Sequence, residues 1–160
     1  MAVEYGFFLK TSMSALAIAV ELARAVSGHR EHDDASVVKQ LLDPGIDTMD
    51  GLWVRVLPGT PSRRHPVITD LEFTPTIRIA YRLDKFRDLE QQTDTMVRLT
   101  AALLENSPGD AALTWDLEQV WLLRRNGELT LNERDDLWTP RRLAFIPLPY
   151  RRATYSFSDE

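Results

Sequence analysis

The chain contains no cysteine. Disulfides, thiolate metal ligands and a cysteine nucleophile are therefore excluded together, and a reducing compartment is permitted without being required. No glycine-rich loop leads from a strand into a helix, so the backbone frame that cradles nucleotide phosphates is missing. No stretch of about 18 apolar residues runs uninterrupted, which argues against a membrane span. Internal repeats and low-complexity tracts are also absent. Basic residues are the minority, 19 Lys and Arg against 24 Asp and Glu, for a net charge of -5. That balance works against nonspecific binding to phosphate backbones and leans toward a cationic partner.

What is present fits one soluble, cytoplasmic domain over residues 1–160, with ordinary hydrophobic (44%) and charged (27%) fractions that oppose wholesale disorder. Residues from about 29 to 51 form an irregular acidic insert, and the tail from about 138 to 160 is punctuated by proline. The apolar run Ala15 to Val20 followed by Leu22-Ala23-Arg24-Ala25 resembles a secretory leader superficially. Glu4 stands where such a leader is basic, Val3 to Leu9 reads as a strand, and Glu21 and Arg24 recur at helical spacing, so no leader is expected.

Val3, Tyr5, Phe7 and Leu9 alternate with Glu4, Gly6, Phe8 and Lys10, the period of a strand with one buried face. A helix follows, capped by Thr11 or Ser12 and ended by Gly28, with Leu16, Ala19, Val20, Ala23 and Val26 as its apolar stripe. Ala35 to Leu42 allows one short helix before Asp43-Pro44-Gly45 breaks it. Leu52 to Leu57 is the next strand, stopped at Pro58-Gly59-Thr60-Pro61, and Ser62-Arg63-Arg64-His65-Pro66 reads as an exposed loop. Ile77, Ile79, Tyr81 and Leu83 mark another strand. From Phe86 the period becomes helical, with Leu89, Met96, Val97, Thr100, Leu103 and Leu104 on one face, until Asn106-Ser107-Pro108-Gly109 ends it. Strands at Ala111 to Trp115 and Glu118 to Arg124 lead to Asn126-Gly127, whose preference for positive φ predicts a two-residue hairpin into Leu129-Thr130-Leu131. Pro147 and Pro149 discourage any central strand in the tail. The order predicts an α+β fold: a mainly antiparallel sheet with two principal helices on one face, a ferredoxin-like core with extra C-terminal strands.

Few residues form a chemical constellation. His29 and His32, with Glu31, Asp33 and Asp34, have metal-ligand types but follow a helix-ending glycine, so no rigid element presents them and no metal is expected. No serine has an activating frame: Ser27-Gly28-His29 is a helix end, and Ser62 and Ser107 lie beside loops with proline. The carboxylate pairs Asp33-Asp34 and Asp135-Asp136 sit in polar runs where nothing separates their pKa values. Catalysis and cofactors are accordingly not expected. The arginine pairs 63–64, 124–125, 141–142 and 151–152 are scattered over four segments, which favours solvated or ion-paired roles over a nucleic-acid surface. Trp53 and Trp121 read as core. Trp138, between an acidic run and a proline, reads as a partner contact or as packing of the tail onto the sheet.

The opening Val3-Glu4-Tyr5-Gly6-Phe7-Phe8-Leu9, the stretch Pro108-Gly109-Asp110-Ala111, the hairpin Val120 to Asn132 and the exit from Trp138 to Pro147-Leu148-Pro149-Tyr150 resemble the Sit-type immunity proteins of bacterial contact-dependent, polymorphic toxin systems. The resemblance covers the first strand and about the last third, and leaves His29 to Phe73 unmatched. It implies a small cytosolic protein that binds a cognate toxin and blocks it by occlusion, without chemistry of its own. From charge and predicted exposure, Asp33, Asp34, Asp135 and Asp136 are candidates to steer a basic toxin, with Trp138 as anchor. The rival reading is a small-molecule-binding protein or enzyme with a pocket near the segment His29 to Gly51. Pairing of sheet edges in a homodimer is a third.

Overall fold

The computed structural model describes residues 3–27, 34–59, 61–116 and 118–157. Gly28, His29, Glu31, His32 and Asp33 lie outside the described residues, as do Thr60 and Leu117. In chain order the elements are β1 (Val3–Leu9), α1 (Ala15–Ser27), α2 (Asp34–Leu42), β2 (Ile46–Asp47), β3 (Trp53–Pro58), α3 (Pro66–Thr69), β4 (Ile77–Leu83), α4 (Leu89–Asn106), β5 (Ala111–Trp115), β6 (Gln119–Arg125), β7 (Glu128–Leu131), α5 (Pro140–Leu143) and β8 (Tyr150–Arg152). The fold is α+β. Eight strands form one sheet in the order β2-β3-β4-β1-β5-β6-β7-β8, antiparallel throughout except for the parallel pair β7 and β8. The edge strands β2 and β8 are only two and three residues long, which offers a short template for pairing with another chain.

The principal helices α1 and α4 pack against each other on one face, and α2 joins them. Phe7 and Leu9 of β1, Val54 and Val56 of β3, and Ile77, Ile79, Tyr81 and Leu83 of β4 point to that side and bury against Ile18, Leu22, Leu41, Met96, Leu99 and Leu103. Period two in the strands and period 3.6 in the helices thus meet in one core. Two details of the helical stripes differ from expectation. Leu16 and Leu89 are exposed, while Ile18, Leu22, Leu99 and the polar Gln92 take the buried positions. Ser14, not Thr11 or Ser12, caps α1: its Oγ accepts from the Ala17 amide at 3.1 Å, while Thr11 turns back to the Met13 amide.

At the far end of the other face a second, smaller cluster gathers Phe8, Val67, Leu71, Phe73, Ala112, Val120 and Leu123. To it α3 supplies Val67, starting at Pro66, the last residue of the stretch expected as a loop. Pro66 stands in its first turn, and the His65 Nδ1 accepts from the Val67 amide at 3.2 Å as N-cap. Asn126 and Gly127 both adopt positive φ, 52° and 81°, and close the predicted hairpin between β6 and β7.

Candidate partner-binding face

The two arginine pairs nearest the core each divide into one buried and one more exposed member; Arg125, Arg141 and Arg142 are ion-paired, one of the two roles expected, whereas Arg124 is buried on backbone carbonyls. Arg124 is buried, its guanidinium donating to the carbonyls of Gly109 (2.7 Å), Leu104 (2.8 Å) and Ser107 (2.6 Å), so it closes the end of α4. Burial lowers its pKa, against the raising effect of Asp110. Arg142 is 2% exposed and donates to Asp94 (2.7 Å), Glu90 (2.8 Å) and the Leu137 carbonyl (2.9 Å). The outer members make looser pairs, Arg125 with Glu72 at 3.3 Å and Arg141 with Asp94 at 3.8 Å. The fold therefore does not gather the arginine pairs into one surface.

Trp138 is 1% exposed, so of its two readings the structure supports packing and leaves no exposed anchor. The cause is a bulge. Between Leu113 and Thr114 the register of β5 against β6 slips, so that Trp121 and Leu122 both turn into the helical core. The Trp121 carbonyl, on the β7 side of β6, accepts from the Trp138 Nε1 at 2.8 Å and from the Asn132 amide at 2.9 Å. Trp138 meets the Trp121 ring edge-on at 6.2 Å, Tyr5 meets it at 5.4 Å, and Arg142 lies over it at 5.9 Å. Burial pushes the Tyr5 hydroxyl up to about 12, against the lowering influence of Arg142.

The predicted acidic contacts are not assembled. Asp33 lies outside the described residues, and Asp34 is the first residue of α2. Asp135 is fully accessible, with Arg152 at 3.6 Å, and Asp136 pairs with Arg134 at 2.6 Å. Their charges are thus partly neutralised by neighbours. Among the described residues no group of three or more His, Asp or Glu could hold a metal ion, and no helix is long and apolar enough to cross a membrane.

What the strand register does assemble is a trough on the face opposite the helices. Arg55, Ala80, Gly6 and Thr114 form one row across β3, β4, β1 and β5. On one side runs the row Trp53, Arg82 and Glu4, with Asp116 at its end, and on the other Leu57, Arg78 and Phe8. Ala80 is the small residue left open at the centre, since the Phe8 ring packs over Gly6, and His65 closes one end from the α3 cap. The resulting hollow has a volume of about 450 Å³.

Its charges are unequal in their commitments. Arg82 is bound by Glu4 at 2.9 Å and stacks on the Trp53 ring at 4.9 Å. This accounts for Trp53 being half-buried on the open face when its strand position read as core. Arg55 reaches the Leu42 carbonyl at 3.4 Å and Asp43 at 3.5 Å. Arg78 is exposed and has no ion pair among the described residues. It faces His65, whose pKa burial lowers first and the Arg78 charge lowers further, so the imidazole is held neutral. The Thr114 hydroxyl lines the trough, 1% exposed, with no hydrogen-bond partner among the described residues. Sequence reasoning missed this site because its residues come from four strands and carry no local motif.

The trough lies wholly within the region recognised by comparison with protein families: a family model described as SitI3-like matches residues 3–142. The chain belongs to the SitI3-like family. The match runs through the segment His29 to Phe73, which the sequence resemblance left out, and stops at Arg142, short of the Pro147 to Tyr150 exit that the resemblance included. No curated protein and no solved structure matches the chain.

Proposed function

We propose that this member of the SitI3-like family is an immunity protein that binds a cognate bacterial toxin in the cytoplasm and neutralises it by occlusion, without catalysis. The family match over residues 3–142 carries the reading. The architecture is compatible with it: occlusion requires a rigid surface of defined charge, and the open sheet face opposite α1 and α4 is held by strand pairing on both sides. The test is survival of cells that express the toxin encoded beside this chain's gene. Co-expression of the full chain is expected to restore growth, and purified chain is expected to bind the purified toxin directly. Unprotected growth arrest together with absent binding would remove the reading.

A second reading, a small-molecule-binding protein, takes support from the 450 Å³ trough, which falls in the size range of ligand sites. It differs in place from the pocket foreseen near His29 to Gly51. In that segment Val38 and Leu41 pack into the helical core instead. Thermal stabilisation by a small anion, with no protection against the toxin, is the result that would favour it.

A further inference from the structure

We propose that the trough is the docking site for the partner, and that its occupant is an acidic segment of the toxin, one Asp or Glu side chain meeting Arg78 beside Ala80. The inference rests on the immunity reading and says which face acts and what chemistry it recognises.

Three observations carry it. The chain as a whole has a net charge of -5, yet three guanidiniums, Arg55, Arg78 and Arg82, line this face against the two carboxylates of Glu4 and Asp116. Glu4 is already held by Arg82, and Asp116 stands in a left-handed turn at the far end of the row, with φ of 50°. The cationic end at Arg78 and Arg55 is therefore separated from the acidic end, which fixes the polarity of whatever lies across it. The second observation is Arg78 itself, the one trough arginine without an ion pair among the described residues. A guanidinium beside a neutral imidazole presents its donor fork to an incoming carboxylate without first breaking a pair.

The third is the Thr114 hydroxyl. It belongs to a residue that lines the trough, is itself shielded from solvent, and lacks a partner among the described residues. Buried hydroxyls are ordinarily hydrogen-bonded. An occupant reaches it only where the side chains shielding it give way, and the Phe8 ring already packs over Gly6, its neighbour in the row. The helices cannot compete for the site, because they cover the other face, and the Phe8 to Phe73 cluster fills only the far end. Exposed Asp135 and Asp136, the contacts expected from sequence, already have Arg152 and Arg134 beside them.

The test uses the full chain and the toxin encoded beside its gene, purified with an inactivating substitution for binding and intact for growth assays. Arg78 is exposed and has no ion pair among the described residues, so Arg78→Glu is expected to fold with an unchanged circular dichroism spectrum and melting temperature. It is expected to weaken toxin binding about 100-fold and abolish protection, whereas Arg78→Lys stays within about 10-fold of the parent. Reversal of one toxin Asp or Glu to Arg is expected to restore binding to the Arg78→Glu chain. Asp135→Asn with Asp136→Asn is expected to bind as the parent does. Full protection by Arg78→Glu, while the parent protects, overturns the inference and leaves the immunity reading standing. So does a larger loss from the Asp135 and Asp136 substitutions. Stabilisation by inorganic phosphate that needs Arg78, alongside toxin binding indifferent to Arg78, overturns it in favour of a small-anion site. Failure of the parent chain itself to bind or protect removes both readings.

Discussion

Replacing Arg142 with methionine keeps most of the stem that packs beneath Trp121 and removes the guanidinium that joins α5 to α4. In the parent, Nε donates to Asp94 at 2.7 Å, one terminal nitrogen to Glu90 at 2.8 Å, and the other to the Leu137 carbonyl at 2.9 Å. The contributions are unequal. Glu90 is 80% exposed on its side chain, and an ion pair with such a partner is worth at most about 1 kcal/mol. Asp94 is 17% exposed, and stripping the partner from a buried pair costs about 3–5 kcal/mol. Arg141 stands 3.8 Å from the other Asp94 oxygen and offsets part of that loss. The sum is about 3 kcal/mol, which for a chain of this size lowers the melting temperature by about 6–12 °C. Glu90→Gln, by contrast, is expected to cost less than about 1 kcal/mol. The double variant Arg142→Met with Asp94→Leu is expected to recover at least half of the loss, because the largely buried carboxylate is then removed together with its partner. Thermal and urea unfolding followed by circular dichroism decide the matter. A shift below about 2 °C for Arg142→Met, or an equal shift for Glu90→Gln, would refute the assignment of Arg142 as the clamp.

Two further substitutions test other parts of the structure. Burial and the Arg78 charge hold the His65 pKa below its ordinary 6.5, and its unprotonated Nδ1 caps α3. The unfolded chain therefore takes the proton first, and the stability His65 contributes is present above 6.5 and lost as pH falls through the lower folded value. His65→Asn keeps a capping oxygen and cannot titrate, so it is expected to flatten the melting temperature between pH 7 and 5; an unchanged slope would assign that loss to other groups. A Cβ on Gly109 would sit 1.9 Å from the Lys10 carbonyl oxygen at a φ of 120°. Gly109→Ala is thus expected to cost roughly 3 kcal/mol or more, read as a fall in the urea midpoint, and a neutral result would contradict the close approach of that loop to β1.

Local chemistry made much of the fold legible. β1 and β4 carry long period-two patterns, α4 a sustained helical one, and Asn126-Gly127 has the φ preference its turn uses. One misreading and one open choice share a cause. Neighbours in sequence place Trp53 in the core and leave Trp138 between partner contact and packing, but which face of β3 meets helices and what packs on Trp121 are set by strands far away. Short elements failed likewise: β2 is two residues long and α3 four, too short for any periodicity to show.

The sequence alone determined that helices and strands would form one α+β sheet fold without thiol chemistry, because turn preferences and alternation act over a few residues. It also shows, in the long alternating strands β1 and β4, that two faces exist. Only the tertiary structure decided that α1 and α4 cover one of them and leave the other open, and that Arg55, Ala80, Gly6 and Thr114 stand in one row. Alternation sorts residues into faces, but the register that sets Arg55 beside Ala80, 25 positions on, Gly6 beside Ala80, 74 positions on, and Gly6 beside Thr114, 108 positions on, depends on long-range pairing. The exposed Arg78, without an ion pair among the described residues, and the Thr114 hydroxyl, without a hydrogen-bond partner among them, arise at that level.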